Sequence, residues 1–266
     1  MKKILVPCDF SNTTEKAIKF AIDLAAKPED ELMLLNIISN NTTSKRLAFQ
    51  DIKFKKVEQR FIELIEGYPK SGITLDYKVL SGKFLQTILK FVETEKIDTI
   101  VMGTKGSRGW GEFFMGSNIE KVARTSPVPV FAVRGTHNLK AINDIVFPCN
   151  LKLDQPEILL KIINLQKQFH ARLHILRINT GKTLNNSKIA DKLDEYARHY
   201  DLTNFTITVS NEKDIKDGIL RFAREINADM IAMVATGKRD LRHMFSESIT
   251  ADVVNHANIL VWSCAV

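Results

Sequence analysis

The feature that most constrains this 266-residue chain is that its second half repeats its first. Ile145-Val-Phe-Pro-Cys-Asn150 answers Leu5-Val-Pro-Cys-Asp9, with Pro148 and Cys149 in the places of Pro7 and Cys8. Leu173 to Ile178 answers Leu32 to Ile37. Asp217 to Phe222, then Ala228 to Met233, answers Gln86 to Phe91, then Ile97 to Met102. Ser248 to Val253 answers Asn118 to Ala123, and Ile259 to Trp262 answers Pro129 to Ala132. Agreement in order and spacing along a whole half marks an internal duplication. The expectation is two domains, 1–135 and 143–266, joined by a linker near 135–142, each of ordinary domain size.

Within the first copy, Lys2 to Cys8 reads as a short buried strand. From Ser11 to Ala26 the apolar residues Ala17, Ile18, Ala21, Ile22, Leu24 and Ala25 fall at helical spacing. Ser11 or Asn12 is placed to cap that helix, with Glu15 close enough for a capping interaction. Leu32 to Ile38 is a continuous apolar run, and an amphipathic helix follows to about Gly67. Ile73 to Leu80 alternates like an edge strand, and the next helix shows Leu85, Ile88, Leu89 and Val92 on one face. Asp98 to Gly103, the helix from Gly116 to Arg124 and the strand Val128 to Val133 complete the unit. Continuous apolar strands alternating with helices predict an α/β fold with a parallel sheet covered on both faces. Ligands of such sheets sit beyond the carboxyl ends of the strands, where Asp9, Ile37 and Gly103 lie.

The third of those strands runs into a glycine-rich stretch. Five of the chain's 12 glycines are Gly103, Gly106, Gly109, Gly111 and Gly116. A strand that ends in glycines and feeds a helix N-terminus offers close backbone approach and unpaired N–H groups to an anion. Lys105 and Arg108 add positive charge to the same loop.

Composition narrows the function. The net charge is +7 and the pI near 9.2, yet basic residues are mixed with acids along amphipathic helices. Solvated helix faces, with no nucleic-acid partner, are therefore expected. No apolar stretch approaches the roughly 18–20 residues that cross a membrane. The opening residues read as a strand instead of a signal peptide, so a cytoplasmic protein is expected. Cys8, Cys149 and Cys264 form no CxxC pair and read as small buried hydrophobes. The six histidines show no metal-ligand spacing, no Walker lysine follows the glycines, and no catalytic residue is nominated.

Taken together, Ile4-Leu-Val-Pro-Cys-Asp9, Leu34-Leu-Asn-Ile37 and Gly103-x2-Gly106-x9-Gly116-Ser117 resemble the universal stress protein family in its tandem two-domain form. The last spacing is similar to that family's ATP-binding pattern. The resemblance implies two Rossmann-like domains of the adenine nucleotide alpha hydrolase type, each an open five-stranded parallel sheet in the order 3-2-1-4-5. It implies that Pro7 and Asp9 stand beside the nucleoside and that Ile37 holds adenine through its backbone. Met102 and Gly103 would line the ribose and adenine side, and Gly106, Gly116, Ser117 and Asn118 the phosphates. ATP is the implied cofactor, with Mg²⁺ or Mn²⁺ able to bridge its phosphates. Pairing of the two domains, a homodimer and an unidentified protein partner are the implied associations, in a sensor or adaptor and not an enzyme.

The second copy departs from this pattern. Asp9 becomes Asn150, Gly103 becomes Val234, and Gly116-Ser117 becomes Ser246-Glu247. Glu247 would set a carboxylate against phosphates, so the nucleotide site is expected in the N-terminal domain only. The alternative is a ligand-free interaction scaffold whose glycines serve turn geometry, with Asp9 capping the helix that starts at Ser11.

Overall fold

In the computed structural model the described residues are 1–25, 27–39, 47–68, 72–104, 115–135, 137, 139–149, 156–180, 186–235 and 247–265. The chain divides into two compact units, Met1–Gly103 and Thr104–Val266.

The first unit runs β1 (Lys3–Pro7), α1 (Asn12–Leu24), β2 (Glu31–Ile38), α2 (Leu47–Glu66), β3 (Thr74–Ser81), α3 (Phe84–Thr94) and β4 (Thr99–Gly103). Its strands lie in the order β3-β2-β1-β4, all parallel. Ile4, Leu5 and Val6 of β1 are fully buried, as a strand flanked by two neighbours and covered on both faces must be. β3 alternates exposed and half-buried positions, which fits its place at the edge. Along α1, Thr14, Ala17, Ile18, Ala21 and Leu24 are buried at three- and four-residue spacing, so one stripe faces the sheet. Of these, Ile18 and Leu24 contribute about 1.5–3 kcal/mol each on leaving water.

The second unit begins with α4 (Met115–Thr125) and β5 (Val130–Val133), the last elements of the first repeat. It continues with β6 (Asp144–Pro148), α5 (Pro156–Phe169), β7 (Arg172–Asn179), α6 (Asn186–His199), β8 (Phe205–Asn211), α7 (Ile215–Glu225), β9 (Met230–Ala235), α8 (Glu247–His256) and β10 (Leu260–Ala265). The order β8-β7-β6-β9-β10 reproduces 3-2-1-4-5 for the second repeat, again parallel throughout. β5 adds to β10 in the antiparallel sense, with Phe131 opposite Trp262. Asn255 Nδ2 of α8 donates to Glu120 of α4 at 3.3 Å, and Ser263 Oγ donates to the Ala123 carbonyl. The packing boundary therefore does not follow the sequence repeat.

The duplication is also written in polar contacts at the amino edge of the strands. Asp98 Oδ2 accepts the Lys3 N–H at 2.7 Å, and Asp98 N–H donates to the Lys3 carbonyl. In the second repeat Asp229 Oδ2 accepts from Asn143 and Asp144, and returns its own N–H to the Asp144 carbonyl. Buried His174 bridges three strands, with Nε2 at 2.7 Å from Asp144 Oδ1 and Nδ1 at 2.8 Å from Thr206 Oγ1. Among the described residues no helix is long and apolar enough to cross a membrane.

Candidate functional site

The carboxyl ends of β1, β2 and β4 bring together Pro7, Asp9, Ile37, Met102 and Gly103. β1 stops at Pro7, whose missing N–H suits a strand end. The pairing with β2 reaches Pro7 opposite Leu35, and the Cys8 N–H extends it by donating to the Leu35 carbonyl at 2.8 Å. Asn36 Nδ2 then donates to the Cys8 carbonyl at 2.7 Å. Parallel strands direct their polar groups to alternate sides. Since Leu35 faces β1, Ile37 two residues on points its N–H and C=O toward the chain beyond Pro7. On the other flank Leu5 pairs with Ile100, which sets Met102 level with Pro7.

Asp9 organises the turn into α1. Its Oδ1 accepts from Ser11 N–H at 3.0 Å, Ser11 Oγ at 2.6 Å and Thr14 Oγ1 at 2.6 Å. Ser11 is the N-cap residue, accepting from the Thr14 N–H. Thr14, a position the capping pattern did not single out, takes the place expected for Glu15. The Asp9 carboxylate remains exposed, and among the described residues its Oδ2 has no hydrogen-bond partner. Partial burial works to raise its pKa, but the hydrogen bonds from Ser11 and Thr14 outweigh it and hold the carboxyl below the ordinary range. Next to it, burial pushes the Cys8 thiol up to about 12.

The intervening Phe10 has φ 61°, a left-handed conformation that costs a bulky residue on the order of 1–2 kcal/mol. Two groups from α2 hold its ring. The Phe61 ring lies 4.8 Å away and is itself stacked on Tyr77, while the Arg60 guanidinium sits 4.1 Å from the Phe10 centroid. No short-range pattern in the sequence foretells these contacts, because they arrive from α2 and β3.

Gly103 has a structural reason to be glycine. A Cβ built there would stand 2.2 Å from the Thr13 carbonyl oxygen and 2.5 Å from its carbon. β4 thus passes the start of α1 too closely for any side chain.

The remaining nominated residues are placed differently. Gly116, Ser117 and Asn118 fall in the first turn of α4, where helix N–H groups lack intrahelical partners. Asn118 is half-buried, whereas the side chain of Ser117 lies outside the described residues. Gly106, with Lys105, Arg108 and the rest of 105–114, also lies outside them, as do Asn150 and Gly237. Val234 is fully buried in β9. A cavity of about 680 Å³ lies beside α7 and the amino ends of β9 and β10, lined by Asp217, Arg221, Arg224, Asn227, His256 and Asn258 among others.

Comparison with known proteins fits this architecture. A universal stress protein of Methanocaldococcus jannaschii is 28% identical over 153 residues, 50% of this chain and 94% of its own length. A second one from the same organism is 26% identical over 140 residues, 50% of this chain and 82% of its own. The crystal structure of a universal stress protein from Archaeoglobus fulgidus is similar over 99% of this chain and 98% of that one, with a TM-score of 0.75 at 20% identity. The profile of the universal stress protein family matches residues 1–134 and again 142–264. Two full matches in tandem, on a fold that repeats the same strand order, establish that the chain belongs to the universal stress protein family.

Proposed function

We propose that the first repeat binds ATP or a related adenine nucleotide, and that the protein acts as a sensor or adaptor in the stress response of the cytoplasm. The observation that carries this reading is the half-used carboxylate of Asp9. Oδ1 is saturated by Ser11 and Thr14, and Oδ2 is left as an acceptor at the strand ends, suited to a ribose hydroxyl. The backbone of Ile37 turns a donor and an acceptor toward the same edge, the pair that an adenine ring needs. The motif assigns the phosphates to Gly106, Gly116, Ser117 and Asn118. Among the described residues no group of three acidic, cysteine or histidine side chains could hold a metal ion. Mg²⁺ or Mn²⁺ would therefore arrive on the phosphates, a usual mode for nucleotide-bound Mg²⁺. Hydrolysis is expected to be slow, because a carboxylate whose pKa is held low is a weak general base.

Asp9→Asn tests this without dismantling the turn, since its carbonyl oxygen still accepts from Ser11 and Thr14 while Oδ2 is replaced by a donor. Calorimetry with ATP and Mg²⁺ should show binding weakened about tenfold, the loss of a hydrogen bond to a charged group. Absence of binding by the unaltered protein at about 1 mM ATP, a Kd worth only about 4 kcal/mol, would remove the proposal. A ligand-free scaffold would then stand, favoured by the structural duties that Gly103 and Asp9 already perform.

A further inference from the structure

We infer that the second repeat carries its own oxyanion site, centred on Arg177 and taking a phosphate or carboxylate group. Arg177 lies in β7 opposite Val209 of β8, directly after Leu176, whose carbonyl accepts the Cys149 N–H at 2.8 Å. The same frame in the first repeat holds Asn36, opposite Val79 and after Leu35, whose carbonyl accepts from Cys8. There the neutral amide of Asn36 is satisfied internally by the Cys8 carbonyl. The duplication has put a guanidinium in its place, at the carboxyl end of the strands where ligands of this fold collect.

That guanidinium is half-buried and uncompensated. Its Nε is shielded from solvent and has no hydrogen-bond partner, and among the described residues no carboxylate pairs with it. Burial drags its pKa below the ordinary arginine value, opposed only by the neighbouring Cys149. Shielding one face of a cation without a counter-charge carries a desolvation cost, and arginine cannot shed its proton to escape it. A bound oxyanion supplies both the charge and the missing acceptor, since the planar fork of arginine matches phosphate and carboxylate with paired hydrogen bonds. The nucleotide pattern is not required for such a ligand. Val234, buried in β9 where the first repeat has Gly103, does not oppose a small anion beside β7.

The test uses the full chain dialysed into buffer free of phosphate and carboxylates, with inorganic phosphate and acetate titrated separately to tell the two chemistries apart. Calorimetry should show saturable binding of at least one of them, weakened about tenfold or more in Arg177→Met. Binding should survive in Asp9→Asn, whose change lies in the first unit. Thermal unfolding gives an independent readout. Without an anion, Arg177→Met should melt no lower than the unaltered chain, because it removes an uncompensated charge, and the anion should raise the melting point of the unaltered chain alone. Arg177→Gln replaces the methionine variant should that one not fold. Neither anion binding saturably, or both binding equally well without Arg177, would overturn the inference.

Discussion

Replacing Gly103 with alanine is the sharpest way to ask whether this glycine serves packing or a ligand. The added Cβ would sit 2.2 Å from the Thr13 oxygen and 2.5 Å from its carbon, both backbone atoms that no rotamer change can move. Restoring an ordinary contact requires β4 or the start of α1 to retreat by about 1 Å, in an interior packed as densely as an organic crystal. The retreat would lift Ala17, Ile18 and Ala21, all fully buried, off the sheet. Overpacking of this kind costs about 1–3 kcal/mol, and a backbone collision belongs at the upper end. With a urea m-value of about 2 kcal/mol/M, a loss of about 3 kcal/mol lowers the unfolding midpoint by about 1.5 M. Urea titration of the purified variant, followed by far-ultraviolet circular dichroism without nucleotide, measures this directly. If the midpoint of Gly103→Ala lies within about 0.3 M of the unaltered chain, the packing explanation is wrong. The glycine would then owe its place to the ligand alone.

Two further outcomes concern ionisable groups of the protein. Thr14→Val removes one donor to Asp9, so the Asp9 pKa should climb toward the ordinary carboxylate range, as read by NMR titration. Because the folded pKa is depressed, the Asp9 hydrogen bonds stabilise the protein above the unfolded carboxylate pKa and are lost as pH falls through the lower folded value. The stability gap between the two proteins should therefore narrow in acid, and an unchanged Asp9 titration would contradict the network. The Cys8 and Cys264 thiols, both buried and raised to about 12, should resist alkylation at pH 8 in the native protein and react fully in denaturant. Rapid native labelling at either would contradict their burial.

Sequence patterns were most informative where one residue type has one physical use. The apolar runs ending at Cys8, Ile38 and Gly103 could be little other than buried parallel strands, and that is how they pair. Ser11 was legible as a cap because its side chain needs only the next turn of chain. Gly103 was ambiguous, since a phosphate and a neighbouring carbonyl both demand the absence of a Cβ. Asp9 was ambiguous for a related reason, one carboxylate having two oxygens and so room for two duties. Phe10 and Arg60 were invisible, because a left-handed turn pinned by an aromatic from α2 depends on contacts fifty residues apart. Arg177 was invisible too, since a charge in a strand ordinarily means an edge facing water.

The antiparallel seam between Val130–Val133 and Leu260–Ala265 joins the last strand of one repeat to the last strand of the other. A cut in the linker would leave each fragment with a raw hydrogen-bonding edge and a row of buried side chains, including Phe131 and Trp262, facing water. Such fragments should seek each other out and rejoin non-covalently. The chain is thus a ready substrate for split-protein complementation, with the covalent linker acting to raise local concentration more than to hold the fold together.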